Sequence, residues 1–275
     1  MSTRQASQSS GPALALHHIL SRNNLIVAAA LLLLTLLAWG WLWLSPAAPL
    51  AGGEGMDMAG MDMSGMDMAV DPWSASYLSM AFAMWSIMMV AMMLPSAAPM
   101  ILLHARMDRS ESESARLFHS SLFIAAYLLV WTIFAAAAAA AQAMLIEGGL
   151  LSSAALTLGH RGAAAGVLLL AAGYERTPAK HRCLENCQSP LIFIHRYWHP
   201  GAAAAFRLGV RHGLYCLGCC WALMLLLFVG GVMNLAWIAL LAVLATVEKI
   251  APPQWRLHRA LAVLLLLIAA LMLIR

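Results

Sequence analysis

Three cysteines lie within five residues, Cys216, Cys219 and Cys220, and His212 precedes the first of them by four. Residues three and four apart share a helix face, so on a helix the imidazole and two thiolates can converge. That donor set holds Cu(I) or Zn(II), and a cytoplasmic location keeps such thiols reduced. Met224, four residues past Cys220, continues the face. Free cysteine also packs as a small apolar side chain, so the cluster by itself leaves ligation and packing both open.

A second pair stands upstream in His181-Arg182-Cys183-Leu184-Glu185-Asn186-Cys187. Cysteines four apart can chelate one ion on a helical turn, although zinc knuckles use a two-residue gap. On the same side as Cys216, Cys183 and Cys187 complete a four-thiolate site or exchange ions with it. His195 and His199 are also four apart, but beside Trp198 they read as an interfacial anchor.

The remaining sulfur is methionine, 19 residues of 275. Met56, Met58, Met61, Met63, Met66 and Met68 belong to a Met-Asp-Met unit with glycine that recurs every five residues. Thioethers are soft donors that select Cu(I), and the interleaved Asp57, Asp62 and Asp67, flanked by Glu54 and Asp71, concentrate cations. Met80, Met84, Met88 and Met92 then repeat at a strict spacing of four, with Met89, Met93 and Met100 nearby. That spacing draws one slowly drifting helix face, suited to passing a soft ion between thioethers or to filling a core.

No Ser/His/Asp arrangement, phosphate loop or nucleotide fingerprint accompanies these residues, so no enzymatic role is expected. The net charge of +4 and isoelectric point near 9.0 do not come from a basic stripe alternating with aromatics, which argues against a nucleic-acid partner.

Lipid must surround the elements that position these groups. The chain is 63% hydrophobic and 10% charged, against roughly 25% charged residues in soluble domains. In lipid the open-chain solution is a bundle of helices that satisfy their own backbone groups, which predicts an all-α polytopic transmembrane bundle. Seven spans are expected, at 25–44, 74–103, 117–144, 162–174, 214–230, 232–247 and 257–274, with Gly230-Gly231 as a tight turn. Cleavage near Ser45-Pro46-Ala47-Ala48 would leave six. Residues 1–24 read as a disordered cytoplasmic tail, 25–44 as an anchor and 45–73 as a periplasmic linker. Residues 74–275 read as a six-helix membrane domain carrying a long polar cytoplasmic connection over 175–213, with Cys216 at the cytoplasmic mouth of the next span. Asn234 and the Glu248-Lys249 pair read as groups at membrane boundaries.

Orientation follows from the basic residues. With the N-terminus in the cytoplasm, Arg4, Arg22, Arg106, Arg109, Arg116, Arg176, Lys180, Arg182, Arg196, Arg207, Arg211, Lys249, Arg256 and Arg259 lie inside, and only Arg161 and Arg275 outside. A multi-pass protein of a bacterial inner membrane is the expected setting.

The run from His212 through Cys216-Leu-Gly-Cys219-Cys220-Trp221-Ala-Leu-Met224, continuing through Gly231-Val-Met233-Asn234 to Glu248-Lys249, resembles a bacterial family of predicted metal-binding integral membrane proteins. Cys183-Leu-Glu-Asn-Cys187 with Pro190, and Met92-Met93-Leu94-Pro95, are similar to it too. The resemblance covers roughly Trp73 to the C-terminus. It implies an inner-membrane protein that handles a metal and supplies copper to a copper enzyme.

The expected function is therefore Cu(I) binding and transfer, methionines outside and cysteines at the inner face, with zinc a second metal that fits the thiols. A copper enzyme or a soluble copper chaperone is the expected partner beside the metal and the bilayer. Two rivals use the same residues. One is a thiol–disulfide relay through Cys183/Cys187 and Cys216/Cys219, and the other is a scaffold subunit whose sulfur only packs.

Overall fold

The computed structural model describes residues 22–44, 71–110, 112–152, 156–252, 255 and 257–274. The six methionines of the repeat, Met56 to Met68, and the expected N-terminal tail up to residue 21 lie outside the described residues, as does the expected cleavage point. Among the described residues the elements are helices, accompanied by one isolated bridge between Leu151 and Leu158. The all-α expectation holds.

In chain order the helices are α1 (Arg22–Leu44), α2 (Ala75–Met107), α3 (Glu113–Glu147), α4 (Arg161–Glu175), α5 (Pro178–Gln188), α6 (Pro190–Tyr197), α7 (Ala202–Leu225), α8 (Leu227–Gly230), α9 (Leu235–Ile250) and α10 (Leu257–Ile274). Their starts follow ordinary capping chemistry. The Ser74, Ser112, Thr177 and Asn234 side chains accept from the backbone N–H three residues on. Pro178 and Pro190 occupy the first turns of α5 and α6, where no backbone donor is lost. Pro95 and Pro99 lie inside α2, which nonetheless continues to Met107.

Among the described residues, five helical segments are long and apolar enough to cross a membrane: Arg22–Leu44, Ala75–Met107, Glu113–Glu147, Ala202–Gly230 and Leu257–Ile274. The expected fourth and sixth spans correspond to α4 and α9, of 15 and 16 residues. At 1.5 Å per residue they reach only about 23–24 Å, short of a hydrocarbon core of about 30 Å. The expected polar connection over 175–213 is also different. It is built into α5, α6 and the first half of α7, which starts at Ala202 instead of near residue 214. Positions spaced three and four apart, such as Lys180, Leu184 and Cys187, give helices one buried face that packs on the bundle, whereas hydropathy alone reads them as a loop.

The packing is closest between α3 and α7. A Cβ at Gly209 would come within 2.4 Å of the Phe123 carbonyl oxygen, and one at Gly213 within 2.9 Å of Val130. Gly209 and Gly213 are thus a small-xxx-small pair that lets two membrane helices touch. A polar clasp ties α2 to α3: Trp85 Nε1 donates to Gln142 Oε1 at 2.9 Å, and Gln142 Nε2 donates to Tyr77 Oη at 2.6 Å. Each donor is satisfied where burial would otherwise make it costly. The expected Gly-Gly turn forms, with Gly231 at φ +97°, between α8 and α9.

The short helices end well before the long ones. Lys249, next to last in α9, lies against Met93 and Ser96 of α2. About 20 Å of α2 therefore continues past the end of α9. The neighbouring ends of α3 and α7 extend with it, and α5 and α6 fill the space beside them with Leu184, Phe193 and Ile194 buried.

At the α2–α3 corner His119 Nδ1 meets Asp108 Oδ2 at 2.7 Å, and Ser110 donates to Asp108 Oδ1 from its backbone and its hydroxyl. Burial opposes ionisation of Asp108, but the Ser110 hydrogen bonds and His119 outweigh it and hold the carboxyl below its usual value. Such a group contributes stability above its unfolded value, and that stability is lost as pH falls through the folded one. Thermal unfolding in detergent should therefore show a loss below about pH 4, and Asp108→Asn should flatten that part of the profile while lowering the midpoint at neutral pH.

Candidate metal centre

The helical spacing of Cys216, Cys219 and Cys220 turns all three into the core of the bundle, each 1% exposed. Cys219 is the hinge of the group. Its sulfur lies 3.3 Å from that of Cys220 and 4.0 Å from that of Cys187 on α5, and it donates to the Cys216 carbonyl at 3.1 Å. The two cysteine segments read separately from the sequence therefore meet, and all five thiols are free.

Two features fix α5 in the bundle. Gly218 has no side chain, and a Cβ there would stand 2.7 Å from Cys183 Sγ; Tyr174 Oη donates to the Gly218 carbonyl as well. The second feature is ionic. Lys180, fully buried, bridges Glu175 at the end of α4 and Glu248 near the end of α9, the latter at 2.9 Å. Burial disfavours the ammonium, but Glu248 and Glu175 outweigh it and raise its affinity for the proton above the ordinary lysine value. Breaking one member of such a buried set leaves an uncompensated charge, at a cost of about 3–5 kcal/mol. Gln188 adds hydrogen bonds to the Glu248 and Ala251 carbonyls. The lysine clamp therefore ties α5, which carries Cys187, to α4 and α9.

Lys249 completes the centre. Its ammonium donates to Ser96 Oγ at 2.8 Å and to Cys216 Sγ at 3.0 Å, and lies 3.7 Å from Met93 Sδ. Tyr127 joins the same sulfur, its hydroxyl 3.1 Å from Cys216 Sγ and 3.1 Å from the Met93 carbonyl it donates to. The sequence placed Glu248 and Lys249 at a membrane boundary with no role. Both are buried within the protein and take part in these contacts, because α9 ends beside the longer α2, α3 and α7. Met93, Tyr127, Glu175 and Lys180 were likewise not among the expected site residues. Charged residues in a chain this poor in charge were the available signal for Glu175 and Lys180.

His212 is buried, with neither ring nitrogen hydrogen-bonded. Its ring stacks on Tyr127 at 5.6 Å and lies 5.7 Å from Phe193 and 6.1 Å from Phe123. It shares the face of Cys216 as expected, but its immediate surroundings are aromatic. His104, at 5.0 Å from Phe123 on the ring's other contacts, also keeps an unpartnered Nδ1.

Of the methionine face, Met84, Met88 and Met92 are buried at 1% or less, while Met80 is 43% exposed. Met93 and Met224 are buried too. The ladder is thus an interior row with one open end. Among the described residues no three His, Cys, Asp or Glu side chains form a ready-made metal cage. The sulfurs of Cys187, Cys219 and Cys220 form a chain of neighbouring pairs. Burial also pushes the Cys183 thiol up from its ordinary value, the opposite of what a reactive exchanging thiol needs.

Helices of membrane length closed around free thiols, thioethers and one ammonium have the chemistry of a membrane protein that handles a soft metal ion. The chain belongs to the PpoB2 copper chaperone family, whose model matches residues 82–272. The metal-binding membrane family that its cysteine block resembles is thereby borne out. Among curated proteins and among solved structures, nothing matches the chain.

Proposed function

We propose that this protein is a non-enzymatic membrane copper chaperone that takes up Cu(I) at thioethers and passes it to the thiols around Cys219. The observation that carries this reading is the contact between Cys187 and Cys219, 4.0 Å apart on different helices and continued at 3.3 Å to Cys220. A Cu(I) between two such sulfurs needs no further ligand, and transfer proceeds by exchanging one sulfur for the next. The row from the exposed Met80 through the buried Met84, Met88 and Met92, about 18 Å long on a helix, leads toward Met93 and Lys249 at the centre.

In this reading the chain crosses the inner membrane seven times with its N-terminus inside, α4 and α9 being short crossings matched by local thinning of the bilayer. The Met-Asp-Met repeat then collects copper outside, and Cys183, Cys187, Cys216, Cys219 and Cys220 hold it more tightly near the inner face. His212 is a reserve donor, and a copper enzyme or soluble carrier is the recipient.

Metal analysis and X-ray absorption of protein purified under reducing conditions test the proposal. Cu(I) with sulfur neighbours is expected, and zinc should not displace it. Copper surrounded only by nitrogen and oxygen, or protein that refuses copper altogether, would overturn the reading. Thiol pairs that cycle between oxidised and reduced forms without any metal would favour the relay instead.

A further inference from the structure

We propose a binding site for the phosphate headgroup of an anionic phospholipid in the cavity between the end of α4, α5 and the start of α10. The cavity, of about 500 Å³, is lined by Arg176, His181, His258 and Arg259 and, below them, by Val263 and Leu266. It holds basic and imidazole groups and no carboxylate. The His181 and His258 rings meet edge to face at 4.3 Å, which fixes α5 to α10 at its back. Arg176 and Arg259 are exposed, and neither forms an ion pair among the described residues.

Position selects the ligand. α10 is 18 residues long, about 27 Å, so one end of it falls near the headgroup layer when the other does. Its first turn carries His258 and Arg259, and Trp255 just before it is 65% exposed, as interfacial tryptophans are. Val263 and Leu266 are 56% and 37% exposed on the side of α10 that runs on into the apolar layer. Guanidinium forks match phosphate oxygens in pairs, and the apolar stretch below offers an acyl chain its place. A free phosphate would use the arginines and leave that stretch empty. A bilayer lipid with a negative headgroup uses both.

The site rests on none of the copper chemistry, so it is testable on the metal-free protein. Delipidated protein in neutral detergent is titrated with phosphatidylglycerol, with phosphatidylcholine of the same chains and with inorganic phosphate, reading bound lipid by native mass spectrometry and the unfolding midpoint. Phosphatidylglycerol is expected to bind and raise the midpoint, and the other two are not. The double variant Arg176→Gln, Arg259→Gln should bind it roughly 30-fold more weakly, the effect of two basic groups near the membrane surface. Arg176→Lys, Arg259→Lys should keep most of the binding. Both side chains are exposed, so the lipid-free midpoint should be unchanged in either variant. Equal binding by the Gln variant and the parent overturns the site, and so does inorganic phosphate acting as strongly as the lipid.

Discussion

Replacing Cys219 with serine should abolish stoichiometric copper binding, the largest loss expected from any single sulfur in the chain. Cys219 alone touches thiols on both sides, Cys220 on its own helix and Cys187 on α5. A hydroxyl is a hard donor, so Cu(I) loses the bridging ligand and cannot span the two helices. Changes that only disturb groups behind a ligand cost about 10–100-fold in affinity, and removal of the shared ligand should exceed that. Cys187→Ser should come next in severity, and Cys183→Ser should be mild, because Cys183 packs on the Gly218 backbone. Gly218→Leu makes a separate test of geometry. It removes no donor but forces Cys183, and α5 with it, away from α7, and copper should fall with it. Competition with a Cu(I)-specific chromophoric chelator measures all four. A Cys219→Ser protein that still holds one copper at parental affinity would place the metal elsewhere.

The second large effect is expected at Lys249. Cu(I) held by two thiolates carries a net negative charge, which is costly in an apolar interior unless a cation lies beside it. In the proposed site that cation is the Lys249 ammonium, 3.0 Å from Cys216 Sγ, one helical turn from Cys219 and Cys220. At 4 Å and an effective dielectric of about 20 the attraction between unit charges is about 4 kcal/mol, close to three powers of ten in affinity. Lys249→Met keeps the length and apolar stem but no charge. It should weaken Cu(I) binding by about 100-fold or more. Lys249→Arg should retain a large part of it. The unfolding midpoint of the metal-free Met variant separates this from a folding defect, since a methionine among Met93, Ser96 and Tyr127 fits the space. Parental copper affinity in Lys249→Met would show that the ammonium only fills a gap.

The two lysines of the centre differ in what they do. Lys180 is a structural clamp between Glu175 and Glu248, whereas Lys249 addresses sulfur directly. They sit next to one another through Glu248-Lys249, so the end of α9 connects the clamp that holds α5 to the charge that faces Cys216. Movement of α5 would therefore change the Cys187–Cys219 distance and the surroundings of Lys249 together.

Composition and periodicity were enough to read an all-α architecture with helices long and apolar enough to cross a membrane. A chain with 10% charged residues must satisfy its backbone internally in lipid, and long uninterrupted apolar runs do so as helices; cysteines at spacings of three and four fall on one helix face. Helix lengths were less legible. Hydropathy marks where a helix lies in lipid, not where its hydrogen bonds stop, so α7 was expected to begin twelve residues later than it does. The glycines at 209 and 213, spaced as close-packing membrane helices space them, were the overlooked signal that α7 extends back along α3.

What the sequence settled by itself is a property of residues taken one helix at a time: their softness, their spacing and their preference for lipid. Contact between Cys187 and Cys219, thirty-two positions apart, and the placing of Lys249 among Cys216, Met93 and Ser96 were decided only in three dimensions. These contacts depend on how α5, α7 and α9 lean on one another. That is set by the shape of close-packed side chains and by a buried ion cluster, neither of which leaves a periodic trace along the chain.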